Sequence, residues 1–179
     1  MKVLTFGAST SKNSINKSLA QFVAALVPGA EIDILDLNDF DLPIFSEDLE
    51  KEIGLPLAAR RFFARIGSAD AVIVSFAEHN GSYSAAYKNL FDWASRIDQK
   101  VFQNKPTVFL SASPGPSGAG SVLASAKGSA GFFGADLKAA VSVGNFYDVF
   151  DVDTGRITAP GVLAELTAAS KVLALQEVA

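Results

Sequence analysis

The sequence predicts an α/β protein built on a doubly wound, five-stranded parallel sheet with helices on both faces. Short apolar runs alternate with helical patterns along the chain. The run at residues 71–76 is rich in Val and Ile, which is typical of a strand buried on both faces. A helical pattern separates each strand from the next, so we expect parallel strands in the order 2-1-3-4-5.

The first half of the chain accounts for two strands and two helices. The apolar run at residues 2–6 predicts the first strand, and the helical pattern at residues 14–26 follows it after a polar loop. Residues 31–37 form the second expected strand because they are rich in Ile and Leu. Residues 55–66 form the second expected helix, which returns the chain to the sheet.

The second half continues the alternation with three more strands and three more helices. No internal repeat, low-complexity tract or long linker divides the sequence, so we expect residues 1–179 to form a single domain. The expected strands are residues 71–76, 107–111 and 136–143, and the expected helices are residues 83–97, 118–133 and 161–175.

The composition argues against several classes of function. The chain has no cysteine and one histidine, which argues against disulfides, thiol catalysis and a metal site. Its net charge of -4, without a basic cluster, argues against nucleic acid as a partner. No apolar run approaches the ~20 residues that span a bilayer, so we expect no membrane partner. The absence of cysteine makes the cytoplasm the expected location by default.

The loop after the first strand, residues 7–16, is the most informative segment. It holds four Ser/Thr hydroxyls and two Asn amides, and it leads directly into a helix. A helix N-terminus carries unpaired N–H groups and a partial positive charge, so this loop suits a phosphate monoester. The G-x-G-x-x-G fingerprint of dinucleotide sites and the Walker loop are both absent. An ordinary strand–helix turn with a Ser or Asn cap explains the loop equally well.

Two further loops leave the same edge of the predicted sheet. Residues 77–84 contain an Asn-Gly pair, which favours a tight turn with positive φ, and Ser82, which we expect to cap the following helix. This loop also holds His79, the only histidine. Residues 111–118 form a small, rigid loop that leaves room for a planar ligand. Ligands of doubly wound sheets bind beyond the carboxyl ends of the strands, so the three loops predict one site, although each loop alone is also explained as a turn.

Three motifs make the chain resemble the NADPH-dependent FMN reductase family, whose fold is flavodoxin-like. The family's phosphate loop, G-S-x-R-x-x-S-x-N, is similar to residues 8–16. Its flavin-ring loop, P-E-Y-N-G-S, is similar to residues 77–82, and its K-N-x-x-D-W helix is similar to residues 88–93. Residues 151–158 also resemble the family, so the likeness covers nearly the whole chain.

The sequence departs from the family pattern within these motifs. Ser11 stands where the family has Arg, and Lys12 is the candidate to replace its charge. His79 replaces a ring-contacting Tyr, and Ala77 replaces a Pro. We expect flavin binding to survive these changes, because backbone donors carry most of it, and redox tuning and substrate choice to differ.

The resemblance implies an FMN-containing oxidoreductase that takes hydride from NADH or NADPH through flavin N5. It would reduce a small-molecule acceptor such as a quinone, an azo compound, free flavin or a metal oxyanion. No side chain is expected to act as a catalytic acid or base. The residues expected to hold the FMN phosphate are Ser9, Ser11, Lys12, Ser14, Ile15 and Asn16. Those expected to meet the flavin ring or the ribityl chain are Glu78, His79, Asn80, Gly81, Ser82, Ser113, Pro114 and Gly115.

Two other functions stay open at this point. One is an electron carrier or flavin-binding regulatory protein that reacts poorly with NAD(P)H. The other is a serine-dependent hydrolase, because Ser9 with Lys12 and Ser14 with Lys17 both have S-x-x-K spacing.

The aromatic residues of the predicted helix at residues 83–97 indicate self-association. Tyr83, Tyr87 and Phe91 lie on one line of this helix and Trp93 lies off it. The chain also has 14 Phe, more than one small core readily uses. We therefore expect a homodimer or homotetramer in which this helix packs against a partner near the site.

Overall fold

The computed structural model describes residues 1–174, in which a five-stranded parallel sheet lies between two layers of helices. The strands of this part of the chain are β1 (Lys2–Ala8), β2 (Glu31–Ile34), β3 (Ala71–Phe76), β4 (Glu78–His79), β5 (Ser82–Tyr83), β6 (Pro106–Ala112), β7 (Asp136–Val143), β8 (Phe150–Asp151) and β9 (Arg156–Ile157). The main sheet has the order β2-β1-β3-β6-β7, which confirms the predicted order 2-1-3-4-5. The pairs β4–β5 and β8–β9 are short antiparallel hairpins.

The helices cover both faces of the sheet. They are α1 (Ile15–Ala25), α2 (Glu47–Ile53), α3 (Leu57–Gly67), α4 (Ala85–Ser95), α5 (Gly120–Ser129), α6 (Phe146–Val149) and α7 (Pro160–Ala174) within the described residues. Helices α1 and α7 pack on one face, and α3, α4 and α5 pack on the other. Among the helices of residues 1–174, none has the length and apolar character needed to cross a membrane.

The central strands supply two apolar cores. In β3, Val74 and Phe76 join the core under α3, α4 and α5, whereas Ile73 joins the core under α1 and α7. Every residue of β3 is buried, as the apolar run at residues 71–76 predicted.

Several expected elements have different bounds in the structure, and hydrogen bonds explain two of the differences. The second strand ends at Ile34 because the Asp36 side chain accepts a hydrogen bond from the Asn38 N–H at 3.0 Å and begins a 3-10 turn over Leu37–Asp39. The helix expected at residues 83–97 begins at Ala85, and its cap is Ser84 rather than Ser82, which lies in β5. The Ser84 hydroxyl accepts from the Tyr87 N–H at 3.3 Å and donates to the Ala8 carbonyl at 2.7 Å.

The elements not predicted from the sequence include α2, α6 and the β8–β9 hairpin. Helix α2 buries none of its side chains, so its sequence lacks the periodic apolar pattern that predicts a helix. The last expected helix is confirmed as far as Ala174, while its final residue, 175, lies outside the described residues. The assignment of residues 1–179 to one domain stays a prediction for the same reason.

The aromatic residues of α4 do not form a surface for a partner. Tyr87, Phe91 and Trp93 are all buried within the chain. Trp93 is wholly buried, packs its ring on Phe45 at a centroid distance of 5.0 Å, and donates from Nε1 to the Pro43 carbonyl at 2.8 Å. The interpretation that these aromatic residues form a subunit interface was wrong, because they are buried within the chain. Trp93, which lies off the line of the others, is covered by Pro43 and Phe45 in the segment that precedes α2.

Candidate functional site

The carboxyl ends of β1, β3 and β6 open into a cleft of about 230 Å³. All three loops singled out in the sequence contribute to its wall, so their predicted convergence is confirmed. The lining residues are Ser9, Ser11, Asn13, Ser14, Ile15, Asn16, Ala77, Glu78, His79, Ala112, Ser113, Pro114 and Tyr147.

The N-terminus of α1 forms one wall of the cleft and packs closely on β1. A Cβ atom on Gly7 would lie 2.5 Å from the Lys17 backbone nitrogen, so only glycine allows the helix to approach this far. Ser14 caps the helix by accepting from the Lys17 N–H at 3.2 Å. The N–H groups of Ile15 and Asn16, in the first turn, have no partner inside the helix, so this wall presents donors and a partial positive charge.

The serine hydroxyls of the loop add further donors. Ser9 is nearly buried, and its Oγ accepts from the Ser11 N–H at 3.1 Å. Within the described residues the Ser9 hydroxyl donates to no acceptor, so its proton is available to a ligand. Lys12 lies outside this cleft and lines the adjoining one, and it forms no ion pair in the described part of the chain. The Lys12 ammonium therefore acts on a ligand in this cleft only from the adjoining cleft and not from the cleft wall.

The side chain of Asn16 is committed to the protein itself, contrary to the expectation that it completes a phosphate cage. Its Oδ1 accepts from the Ala112 N–H at 2.9 Å and from the Ser75 hydroxyl at 2.7 Å. Its Nδ2 donates to the Ala112 carbonyl at 3.2 Å. Asn16 is 3% exposed. It clamps α1 to β6 and leaves its backbone N–H, rather than its amide, for a ligand.

The second wall is the β4–β5 hairpin, of which only the first strand lines the cleft. Asn80 (φ 53°) and Gly81 (φ 76°) form the predicted tight turn with positive φ at both positions. His79 is exposed and lines the cleft. Asn80, Gly81 and Ser82 are exposed at the tip and do not line it. The structure therefore places the histidine, and not the turn itself, at the cleft wall.

Glu78 ties the hairpin to α5. One carboxylate oxygen, Oε2, accepts from the Val122 N–H at 2.8 Å. Helix α5 needs this acceptor, because its N-cap residue, Ala119, has a left-handed backbone and no capping side chain. A carboxylate at a helix N-terminus is also electrostatically favourable. Glu78 thus fixes the hairpin that carries His79.

The third wall comes from the loop after β6, in which Ser113 and Pro114 line the cleft and Gly115 does not. The Ser113 hydroxyl donates to the Gly115 carbonyl at 3.0 Å, and the same carbonyl accepts from the Asn145 N–H at 2.9 Å. Gly115 therefore holds the loop against the segment that follows β7.

Four lining residues were not among the predicted site residues: Asn13, Ala77, Ala112 and Tyr147. Tyr147 is 61% exposed and stacks edge-on against Phe146. It follows β7, and the chain leaves every parallel strand at the same edge of the sheet. An aromatic residue within a few positions of the end of the fifth predicted strand was the signal that could have found it.

An ion pair fixes the far side of α1. Lys17 Nζ binds a carboxylate oxygen of Asp36 in the loop after β2. This contact, together with the hydrogen bond from the Asn38 N–H, holds the pKa of Asp36 below its usual value. The ion pair links the helix behind the phosphate loop to the neighbouring edge strand, and it occupies the Lys17 ammonium.

The part of the chain that builds the cleft matches a known protein family. The sequence profile of the NADPH-dependent FMN reductase family matches residues 1–148. The chain belongs to this family. The predicted resemblance is therefore confirmed, and the match includes the phosphate loop, the hairpin and the loop after β6.

Two proteins from Pseudomonas species are similar to this chain. An NAD(P)H-dependent FMN reductase of Pseudomonas aeruginosa is 36% identical over 116 residues, which make up 64% of this chain and 61% of that protein. A quinone reductase of Pseudomonas putida is 37% identical over 112 residues, 62% of this chain and 59% of that protein. The aligned region thus spans about three fifths of the length of these relatives.

Solved structures extend the similarity to nearly the whole chain. The flavoenzyme FerB, an NAD(P)H:(acceptor) oxidoreductase of Paracoccus denitrificans, matches with a TM-score of 0.75 and 26% identity, covering 96% of this chain and 94% of that one. The azoreductase AzrA matches with a TM-score of 0.66 and 20% identity, covering 98% and 100% of the two chains, which shows a shared fold. Together with the strand order, these matches confirm the flavodoxin-like fold class.

Proposed function

We propose that this protein is an FMN-containing oxidoreductase that uses NADH or NADPH to reduce a small-molecule acceptor. One observation carries the proposal. The unpaired N–H groups at the N-terminus of α1 open into the same cleft as His79 and the loop after β6. A donor-rich end and two non-helical walls in one cleft suit a ligand that has a phosphate at one end and a flat ring system at the other.

The donor set fits the phosphate of FMN. The backbone N–H groups of Ile15 and Asn16 and the hydroxyls of Ser9, Ser11 and Ser14 would hold it. Hydrogen bonds to a charged group are worth more than neutral ones, so several such donors offset the missing family Arg at position 11. Lys12 would add positive charge from the adjoining cleft.

The ring system would lie between the hairpin and the loop after β6. His79 and Ala77 would bound it on one side, and Ser113 and Pro114 on the other. We propose that Asn80, Gly81 and Ser82 aid ring binding through the hairpin they close, with Gly115 supporting the loop opposite. When bound, FMN supplies the two-electron chemistry, so the protein's task is to bind, orient and enclose it.

The acceptor is proposed from the relatives. Similar proteins are named quinone reductase, in Pseudomonas putida and Escherichia coli. We propose quinones as the first acceptor class to test, with azo compounds, free flavin and metal oxyanions after them. The exposed ring of Tyr147 and the His79 side chain stand at the cleft and would select among these acceptors.

The hydrolase alternative is less well supported, whereas the electron carrier stays open. For a serine hydrolase of S-x-x-K type, Ser14 would need the neutral Lys17 amine as its base, but the ion pair with Asp36 favours the protonated ammonium, which cannot accept a proton. An electron carrier that reacts poorly with NAD(P)H shares the same cleft, so kinetics must distinguish it from a reductase.

Self-association and location remain proposals. We propose a homodimer or homotetramer, supported now by the exposed side chains of Ile32 and Ile34 on the edge strand β2 rather than by α4. We propose a cytoplasmic location, supported by the absence of cysteine. Light scattering at micromolar concentration tests the first proposal, and cell fractionation tests the second.

Anaerobic mixing of the FMN-loaded protein with NADH or NADPH tests the proposed function. We expect rapid loss of the flavin absorbance near its visible maximum, and its recovery when a benzoquinone is added. Loss of absorbance that is no faster than for free FMN would favour the electron carrier. Labelling of Ser9 or Ser14 by a fluorophosphonate would favour the hydrolase.

A further inference from the structure

A second cavity, of about 120 Å³, lies between α4 and α5. It shares no lining residue with the cleft described above. The hairpin stands between the two, because Tyr83 lines the cavity and its β-sheet partner Glu78 lines the cleft. Phe and Tyr side chains make up most of the cavity wall.

The volume of this cavity fits a single six-membered ring. An engineered apolar cavity of roughly 150 Å³ in another protein stays dry and binds benzene, so a space of this size accepts one ring and excludes a flavin. Aromatic walls favour such a guest, because rings meet edge to face over short distances. Phe76, at a centroid distance of 5.1 Å from Phe109 and 5.4 Å from Tyr87, already shows this geometry.

Tyr87 gives the cavity a polar feature. The residue is 3% exposed, and its hydroxyl forms no hydrogen bond within residues 1–174. Most polar groups in apolar surroundings have a partner, and a ligand in the cavity that accepts from this hydroxyl would supply one. Burial also raises the pKa of Tyr87 well above its usual value, so the hydroxyl stays protonated at neutral pH and able to donate.

The cavity offers a route to solvent on one side. Lys88 and Asp92, which line it, form an exposed ion pair along α4 at 2.6 Å. Such a pair contributes little to stability and opens easily. A small neutral molecule therefore has a way in without unfolding the helix, whereas an ion would lose its hydration in an apolar space.

We propose that this cavity binds a neutral, single-ring aromatic molecule that carries one hydrogen-bond acceptor, with the Tyr87 hydroxyl as the donor. Phenol has the required size and acceptor, and benzene is the matched probe that lacks the acceptor. The site is independent of the proposed FMN cleft.

Binding of phenol and benzene to the purified protein tests the proposal. Calorimetry gives the dissociation constants, and thermal unfolding gives a second readout, because a ligand that binds only the folded state raises Tm with its concentration. We expect Tyr87→Phe to weaken phenol binding roughly 3- to 10-fold, the value of one neutral hydrogen bond, and to leave benzene binding unchanged.

Filling the cavity provides the decisive variant. Ala126 lines the cavity and is buried on α5, so Ala126→Leu should abolish binding of both probes. Ala124 is exposed on the same helix, and Ala124→Leu is the control that should bind both normally. Ala130, another lining residue, provides a second filling variant if Ala126→Leu does not fold. FMN titration of the filled variant should match that of the control.

Three results would overturn the proposal. They are the absence of binding by either probe, binding that survives a folded filling variant, and phenol affinity that is unchanged in Tyr87→Phe. The second would place the probes in the cofactor cleft or on the surface. The third would leave the Tyr87 hydroxyl without the donor role assigned to it.

Discussion

Asn16 is bound through both atoms of its side-chain amide to the backbone of Ala112, with Oδ1 2.9 Å from the N–H and Nδ2 3.2 Å from the carbonyl. The pair joins the first turn of α1 to the last residue of β6. It therefore sets the distance between the phosphate loop and the loop after β6. The side chain of a residue predicted to bind the ligand thus holds two walls of the cleft together.

Replacing Asn16 should therefore reduce stability. Asn16→Ala leaves the backbone groups of Ala112 and the hydroxyl of Ser75 unpaired in a buried position, which should cost roughly 2–4 kcal/mol of unfolding free energy. Urea unfolding measures the loss. Asn13→Ala is the control, because Asn13 is exposed in the same loop. A change of less than about 1 kcal/mol for Asn16→Ala would contradict the clamp.

Ser14 can be changed so that its effect on the helix is separated from its effect on the ligand. Asp and Asn are both good N-cap residues, so Ser14→Asp and Ser14→Asn should retain the stability of the wild-type protein. A carboxylate at this position repels a phosphate, so we expect Ser14→Asp alone to weaken FMN binding by about tenfold or more. Flavin fluorescence titration of the two variants measures this difference. Equal FMN affinities of the two variants would show that the phosphate does not bind at the N-terminus of α1.

His79 should affect turnover more than cofactor binding. The side chain is exposed at the cleft, while the hairpin that carries it is fixed by the bond between Glu78 and Val122. We expect His79→Ala to change turnover or acceptor preference, with little change in FMN affinity or stability. His79→Tyr restores the residue of the family pattern and serves as the comparison. Unchanged kinetics with every acceptor in both variants would show that His79 has no role in turnover.

Thr5 should be replaceable by valine with a gain in stability. Its Oγ1 is buried in β1 and has no hydrogen-bond partner among the described residues. Thr5→Val removes this unpaired group at nearly constant shape, which should raise the unfolding free energy by about 1 kcal/mol. Thr107 is the matched control: it is equally buried, but its hydroxyl donates to the Lys105 carbonyl at 2.8 Å, so Thr107→Val should destabilise the protein. Equal effects at the two positions would contradict this reasoning.

Local patterns predicted the sheet well, because strand signals depend on the strand's own residues. The bounds of β3 and β7 were predicted correctly, since residues 71–76 and 136–143 are bounded runs. Gly7 is instructive in another way. Its role is to allow the close packing of α1 on β1, which the sequence shows only as a glycine near the end of a strand.

Long-range partners explain most of what sequence reasoning missed at the site. The acceptor and donor for the Asn16 amide lie 96 residues away, and the helix end that Glu78 caps lies 44 residues away. From the sequence alone, Trp93 is an aromatic residue off the buried line of its helix. The structure shows that Pro43 and Phe45, about 50 residues earlier in the chain, cover it. These contacts depend on where loops cross, which no local pattern encodes.

Comparison of FMN, riboflavin and FAD binding is the most direct test of the central claim, that the N-terminus of α1 holds the terminal phosphate of FMN. Riboflavin has the same ring without the phosphate, and FAD adds a second phosphate and a nucleoside. With the flavin-free protein we expect FMN to bind at least about tenfold more tightly than riboflavin, and more tightly than FAD, because charge-assisted hydrogen bonds to the phosphate are lost in riboflavin. Equal affinity for FMN and riboflavin would contradict the account and would leave the cleft without its assigned ligand.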